Sequence, residues 1–167
     1  PMRLPRDLGG LAENFWELRD FSFFNDSFRN LLKSNFDCTE GGYVLGKKVS
    51  HDELYTALTG YCVKEERWDN PRFSINYVEC HDNYTLFDKL SISLNGGKDK
   101  TGYKAYKDFT VEQQTELRNQ NKLAAAFVFL AQGTPFINGG QEFMRTKQGD
   151  ENSYISEDSI NEIKQSY

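Results

Sequence analysis

The sequence predicts an α/β fold built on parallel strands, and three observations carry that expectation. Three short apolar or aromatic runs, "FSFFND" at 21–26, "RFSINYVEC" at 72–80 and "TPFIN" at 134–138, each end in polar residues. Helical patterns with N-terminal capping signals separate them. Strands joined by crossover helices run parallel, and parallel strands covered on both faces read as continuous apolar runs.

The elements follow in order. Residues 21–24 predict a buried core strand, ending where Asn25 and Asp26 cap a short amphipathic helix, "SFRNLLK", with Phe28, Leu31 and Leu32 on one face. Residues 36–49 are Gly-rich and irregular. Ser50 with Glu53 has the capping-box spacing, so a helix is expected from there to about Leu58, closed at Gly60. The second strand follows Pro71 and runs into His81-Asp82-Asn83, with a short helical piece around "LFDKL" beyond it. Residues 95–109 predict a long surface loop. Thr110 with Gln113 forms a second capping box. The helix after it carries Leu117, Ala124, Phe127, Val128 and Ala131 at helical spacing, which predicts hard packing against a sheet. Gly133 ends that helix, "TPFIN" is the third strand, and the polar loop "GGQEFMRTKQGDENSY" follows.

In parallel α/β folds ligands bind at the carboxyl ends of the strands. All three expected strands end there in polar clusters: Asn25-Asp26, His81-Asp82-Asn83, and Gln141-Glu142 with Arg145. A turn explains any one of them, because Asp and Asn bond their own backbone in turns. Three on one rim point to a site.

Composition narrows the function. The chain has 167 residues, 38% hydrophobic and 27% charged, which suits a folded domain with a core. Its net charge of −5 supplies no basic stripe for nucleic acid. No apolar run is long enough to span a membrane, and the opening "PMRLPRDLGG" has no apolar signal core. That opening leaves a cytoplasmic location and a leader outside the chain both open. Pro1 before Met2 suggests a start inside a longer protein, although removal of an initiator Met would look the same. Cys38, Cys62 and Cys80 lack CxxC spacing, and only His51 and His81 supply imidazole. A zinc site is therefore not expected, and the cysteines read as free thiols, Cys80 packed. An aromatic fraction of 14% suits either a large core or surfaces on which sugars stack.

"INYVECHDNYTLFDKL" followed by "GTPFINGGQEFMRTKQGDENSYISEDSIN" resembles the type I pullulanases, starch-debranching enzymes of the α-amylase superfamily, and "FSFFNDSFRNLLK" resembles the segment that precedes those motifs. The resemblance runs from about Phe21 to Asn161. It implies a partial (β/α)8 TIM barrel comprising strands six to eight with their helices. It also implies an α-glucan substrate such as pullulan, branched dextrins or glycogen, cleaved at α-1,6 branch points without a cofactor. Asp82 then matches the third catalytic carboxylate, which grips sugar hydroxyls and stabilises the oxocarbenium-like transition state, and His81 bonds the same sugar. Asn83 and Tyr84 are either substrate contacts or turn and packing residues. Arg145 is either a cleft residue or a surface ion-pair partner, and Asp158 matches a family position near the cleft. Glu142 is expected to be structural. A structural calcium is possible in the family, but no EF-hand pattern is present.

Retaining glycosidases use a nucleophilic carboxylate and a second acid/base carboxylate about 5 Å away. In the family both precede the region matched here. Glu13 and Glu17 do not sit in a strand-end motif that would replace them. The chain alone is therefore expected to be inactive and to need the remainder of the barrel. A non-catalytic glucan-binding or assembly module, and a functionless fragment, are the rival readings.

Overall fold

The computed structural model describes residues 20–34, 41–60 and 70–164. Strand β1 (Phe23–Phe24) leads into helix α1 (Asp26–Lys33), and helix α2 is His51–Leu58. Strand β2 (Ser74–Asn76) precedes helix α3 (Leu86–Leu94) and the 20-residue helix α4 (Val111–Leu130). Strand β3 is Thr134–Pro135, and a short helix α5 is Asp158–Asn161. The three strands form one parallel sheet in the order β1-β2-β3, with Phe24 opposite Ile75 and Ile75 opposite Thr134. Helices cross over between them, the expected architecture of a partial barrel.

The capping signals act as expected. Asn25 accepts from the Phe28 amide at 2.8 Å. Ser50 with Glu53 and Thr110 with Gln113 form full capping boxes. Each satisfies amides that the first helical turn leaves without partners. Gly60 closes α2 at φ +72°, and a Cβ there would lie 2.3 Å from the Gln132 carbonyl oxygen, so a side chain has no room. The long loop after α3 contains two single turns of 3-10 helix, Lys100–Gly102 and Tyr106–Asp108.

The core lies on the helical side of the sheet. Phe28 and Leu32 of α1 meet Leu86, Phe87 and Leu90 of α3, and Leu117, Ala124 and Val128 of α4. Full burial of one such side chain contributes about 1.5–3 kcal/mol. Helix α3 runs one turn beyond the expected "LFDKL" piece, and every residue from Leu86 to Ile92 is buried. None of the described helices is long and apolar enough to cross a membrane.

Three expectations need correction. The strands are shorter than their apolar runs: only residues 74–76 of "RFSINYVEC" pair, and Pro71–Phe73 form a 3-10 turn instead. The "FSFF" run is not core, since Phe21 is 62% and Phe24 44% exposed, and Thr134 and Pro135 are exposed too. Three strands cover only one face of the sheet with helices. On the other face Phe24, Tyr77 and Phe136 pack edge to face on one another, with Phe24 4.8 Å from Tyr77 and 5.2 Å from Phe136. Finally, α4 packs on α3 and on the Tyr43–Leu45 and Gln141–Phe143 turns more than on the sheet. Its apolar end therefore projects outward, with Phe129 62% and Leu130 79% exposed. Glu13, Glu17, Cys38 and Cys62 lie outside the described residues.

Candidate active-site rim

The three polar clusters do different work. Asn25 is buried, and besides capping α1 it donates to Ser74 Oγ at 2.9 Å. Asp26 pairs with Arg29 at 2.9 Å and accepts from the Tyr77 hydroxyl, whose pKa burial pushes up. This cluster ties α1 to β2. Gln141 is buried, and exposed Glu142 accepts from the Gly140 amide at 3.1 Å. The His81–Asp82 cluster turns both of its charged side chains outward.

His81 and Asp82 side chains are 87% and 79% exposed, with His81 Nε2 3.4 Å from Asp82 Oδ1. Asn83 takes the left-handed conformation at φ +63°, which Asn tolerates better than most residues. Its Oδ1 accepts from the Tyr84 amide at 2.7 Å. The turn therefore reverses the chain and leaves the preceding pair projecting. Tyr84 is buried at 2% exposure beside Ile92 and Tyr103. Its ring packs there, which is one of the two roles open for it. Cys80 is half-buried.

Arg145 is half-buried, and its Nη2 donates to the Asn161 carbonyl at 2.6 Å. This bond joins the loop after β3 to α5, where Asp158 sits exposed in the first turn. Arg145 and Asp158 are thus neighbours through α5. Neither bonds His81 or Asp82; the loop reaches that pair by another residue.

That residue is Lys147. Its side chain is buried and its Nζ donates to the His81 carbonyl at 3.2 Å. Its backbone amide donates to Asp88 Oδ2 at 2.9 Å, and the neighbouring Thr146 hydroxyl donates to Asp88 Oδ1. Burial draws the Lys147 ammonium below the usual lysine range and pushes the Asp88 carboxyl up, opposed by the hydrogen bonds Asp88 receives. A parallel arrangement lies on the other side. Buried Lys33 donates to the Tyr84 carbonyl at 2.9 Å, and burial lowers its pKa to about 8. Buried Glu79 accepts from the Leu86 amide and from Asn138 Nδ2 at 3.1 Å. Burial raises its pKa, while those bonds and the Lys33 charge oppose the rise.

Sequence reasoning missed Glu79, Asp88, Lys33 and Lys147. One signal was legible: Glu79 sits between Val78 and Cys80 in a run that otherwise reads as buried, and a carboxylate there needs partners. Among the described residues, no group of three or more His, Cys, Asp or Glu side chains converges as a metal would require.

An outward carboxylate beside an imidazole offers a strong acceptor and a donor about one sugar-hydroxyl spacing apart. Both stand on a backbone segment that buried Lys147, Lys33 and Glu79 hold by hydrogen bonds, which suits the gripping of a polyol.

No protein-family model matches the chain. A pullulanase of Bacillus subtilis strain 168 is 38% identical over 168 residues, covering 96% of this chain and 21% of the relative. The crystal structure of type I pullulanase from the same strain, complexed with maltose, superposes at a TM-score of 0.78 with 36% identity, covering 98% of this chain and 22% of that one. Pullulanase from Anoxybacillus sp. LM18-11, complexed with maltotetraose, superposes at 0.77 with 36% identity over 99% of this chain and 22% of that one. The chain therefore spans about a fifth of the length of these relatives. In sequence and in fold it matches a segment in the C-terminal part of their catalytic domain, and on that segment the chain belongs to the type I pullulanase family.

Proposed function

We propose that this chain is the C-terminal portion of a pullulanase-like glycoside hydrolase barrel, strands six to eight with their helices. Its parent cleaves α-1,6-glucosidic branch linkages in pullulan, starch or glycogen with retention of configuration. Asp82 is the third carboxylate of the site. It accepts hydrogen bonds from the hydroxyls of the sugar being cleaved, and these strengthen as the ring flattens and becomes cationic. His81 donates to the same sugar. Asn83 borders it through its turn, and Arg145 and Asp158 shape the cleft edge from the loop after β3. The nucleophile and the acid/base come from the remainder of the barrel, so the 167 residues alone bind weakly and do not turn over.

The observation that carries this reading is the outward His81–Asp82 pair on a buried base at the end of β2. Similarity to pullulanases complexed with maltose and maltotetraose supports an α-glucan ligand. The test is product analysis with the full-length protein. Pullulan should be converted to maltotriose released first as the α-anomer, and linear maltooligosaccharides should remain intact. The isolated chain should release no reducing sugar above a boiled control. A full-length protein that binds pullulan without hydrolysing it would favour the non-catalytic binding module instead.

A further inference from the structure

Among the described residues the side chains of His81 and Asp82 pair with each other and stand 87% and 79% exposed, so their positions depend on the backbone that carries them. The segment 81–86 is held from beneath at three backbone atoms. Lys147 Nζ takes the His81 carbonyl, Lys33 Nζ takes the Tyr84 carbonyl, and Glu79 takes the Leu86 amide. Two of these three lie close to the candidate site and are chemically alike: buried ammonium groups on loop carbonyls.

Lys147 differs from Lys33 in two ways. It holds the carbonyl of a site residue itself. It also comes from a loop that is itself under constraint. Met144 and Gln148, both non-glycine, stand at φ +59° and +55° on either side of Lys147. Each such residue costs about 1–2 kcal/mol and persists only where its surroundings over-determine it. Asp88 supplies that determination through the Thr146 hydroxyl and the Lys147 amide.

We propose that Lys147 is a positioning residue, fixing the His81–Asp82 segment through the His81 carbonyl and held in place by Asp88 and Thr146. The proposal rests on the reading of His81 and Asp82 as sugar-gripping groups. Lys147 does not touch substrate. It transmits the geometry of the loop after β3 to the end of β2, so the two rim segments move as one unit. Misplacement of a catalytic group by about 1 Å costs on the order of 100-fold in rate.

The experiment is a double-substitution cycle in the full-length protein, read beside hydrogen exchange of the backbone. Lys147→Met should lower kcat on pullulan by about 10- to 100-fold, with KM changed less than threefold. In an Asp82→Asn background the same substitution should cost less than threefold, because the group it positions is already lost. Amides 82–84 should exchange about tenfold faster, while those of α4 keep their rates. Should Lys147→Met not fold, Thr146→Val removes one hydroxyl from Asp88 and should give a smaller kcat loss with the same dependence on Asp82. An unchanged kcat in a folded variant, or an equal loss in both backgrounds, overturns the proposal. Wild-type protein without activity would overturn the functional reading instead, and unchanged exchange at 82–84 would still overturn the clamp.

Discussion

Replacing Asp88 with Ala should unlock the loop after β3, and the structure fixes the expected size. Asp88 is fully buried. Its carboxylate accepts from the Thr146 hydroxyl and the Lys147 amide, and Thr85 and Gly149 also donate to it. The substitution leaves the Lys147 amide without an acceptor, at about 1–3 kcal/mol, while the Thr146 hydroxyl keeps the Tyr103 hydroxyl 3.1 Å away. Opposing this, burial already penalises the ionised carboxylate, and that penalty disappears with the side chain. The net destabilisation is therefore about 2 kcal/mol, the middle of the range for one orphaned donor. A domain of 150–250 residues loses about 2–4 °C per kcal/mol and a longer protein loses less, so Tm of the full-length protein should fall by roughly 3–6 °C. Asp88→Asn keeps one acceptor oxygen and should lose about half as much. Calorimetry of the full-length protein and both variants checks this. A Tm within 2 °C of wild type for Asp88→Ala would show that these bonds do not hold the loop.

Two further outcomes follow from burial. Lys33 has a folded pKa of about 8, below its unfolded value, so between about pH 8 and 10.5 the unfolded chain binds more protons and stability from this group rises with pH. Wild type should gain up to about 3 kcal/mol relative to Lys33→Met across that window, read by urea unfolding at successive pH values; a flat difference would contradict the assignment. The isolated 167-residue chain should self-associate, because β1 and β3 are the outer strands of the sheet among the described residues and Phe24, Phe129 and Leu130 are exposed. A monodisperse monomer with a sharp cooperative melt would mean that this chain closes its own core.

The helices were legible in the sequence because their signals are local. Ser50 with Glu53 and Thr110 with Gln113 mark starts within a few residues of where they act, and both boxes formed. Strand extent was not legible. "RFSINYVEC" has the composition of a nine-residue strand, yet only three residues pair, because pairing depends on what lies alongside and not on β-propensity. The same reason misplaced Phe24: its apolar character reads as core, but helices cover only the other face. At the site, His81 and Asp82 were visible as polar residues closing an apolar run. Their supports were hidden because each is distant in sequence. Lys33 meets the Tyr84 carbonyl across 51 positions and Lys147 meets the His81 carbonyl across 66. Both lysines read as ordinary surface charges until folding buries them.

The central claim is that Asp82 stabilises the transition state of glucan hydrolysis and is not merely a turn residue. Its side chain is 79% exposed and, among the described residues, pairs with His81, so Asp82→Asn should leave the fold and Tm essentially unchanged. What changes is the charge offered to a sugar ring as it becomes cationic. The most direct measurement is kcat of the full-length Asp82→Asn protein on pullulan, with maltotetraose affinity and Tm measured on the same preparation. We predict a kcat lower by about 100- to 1000-fold, with Tm within 2 °C and affinity changed far less than rate. A folded Asp82→Asn protein with near wild-type kcat would contradict the account.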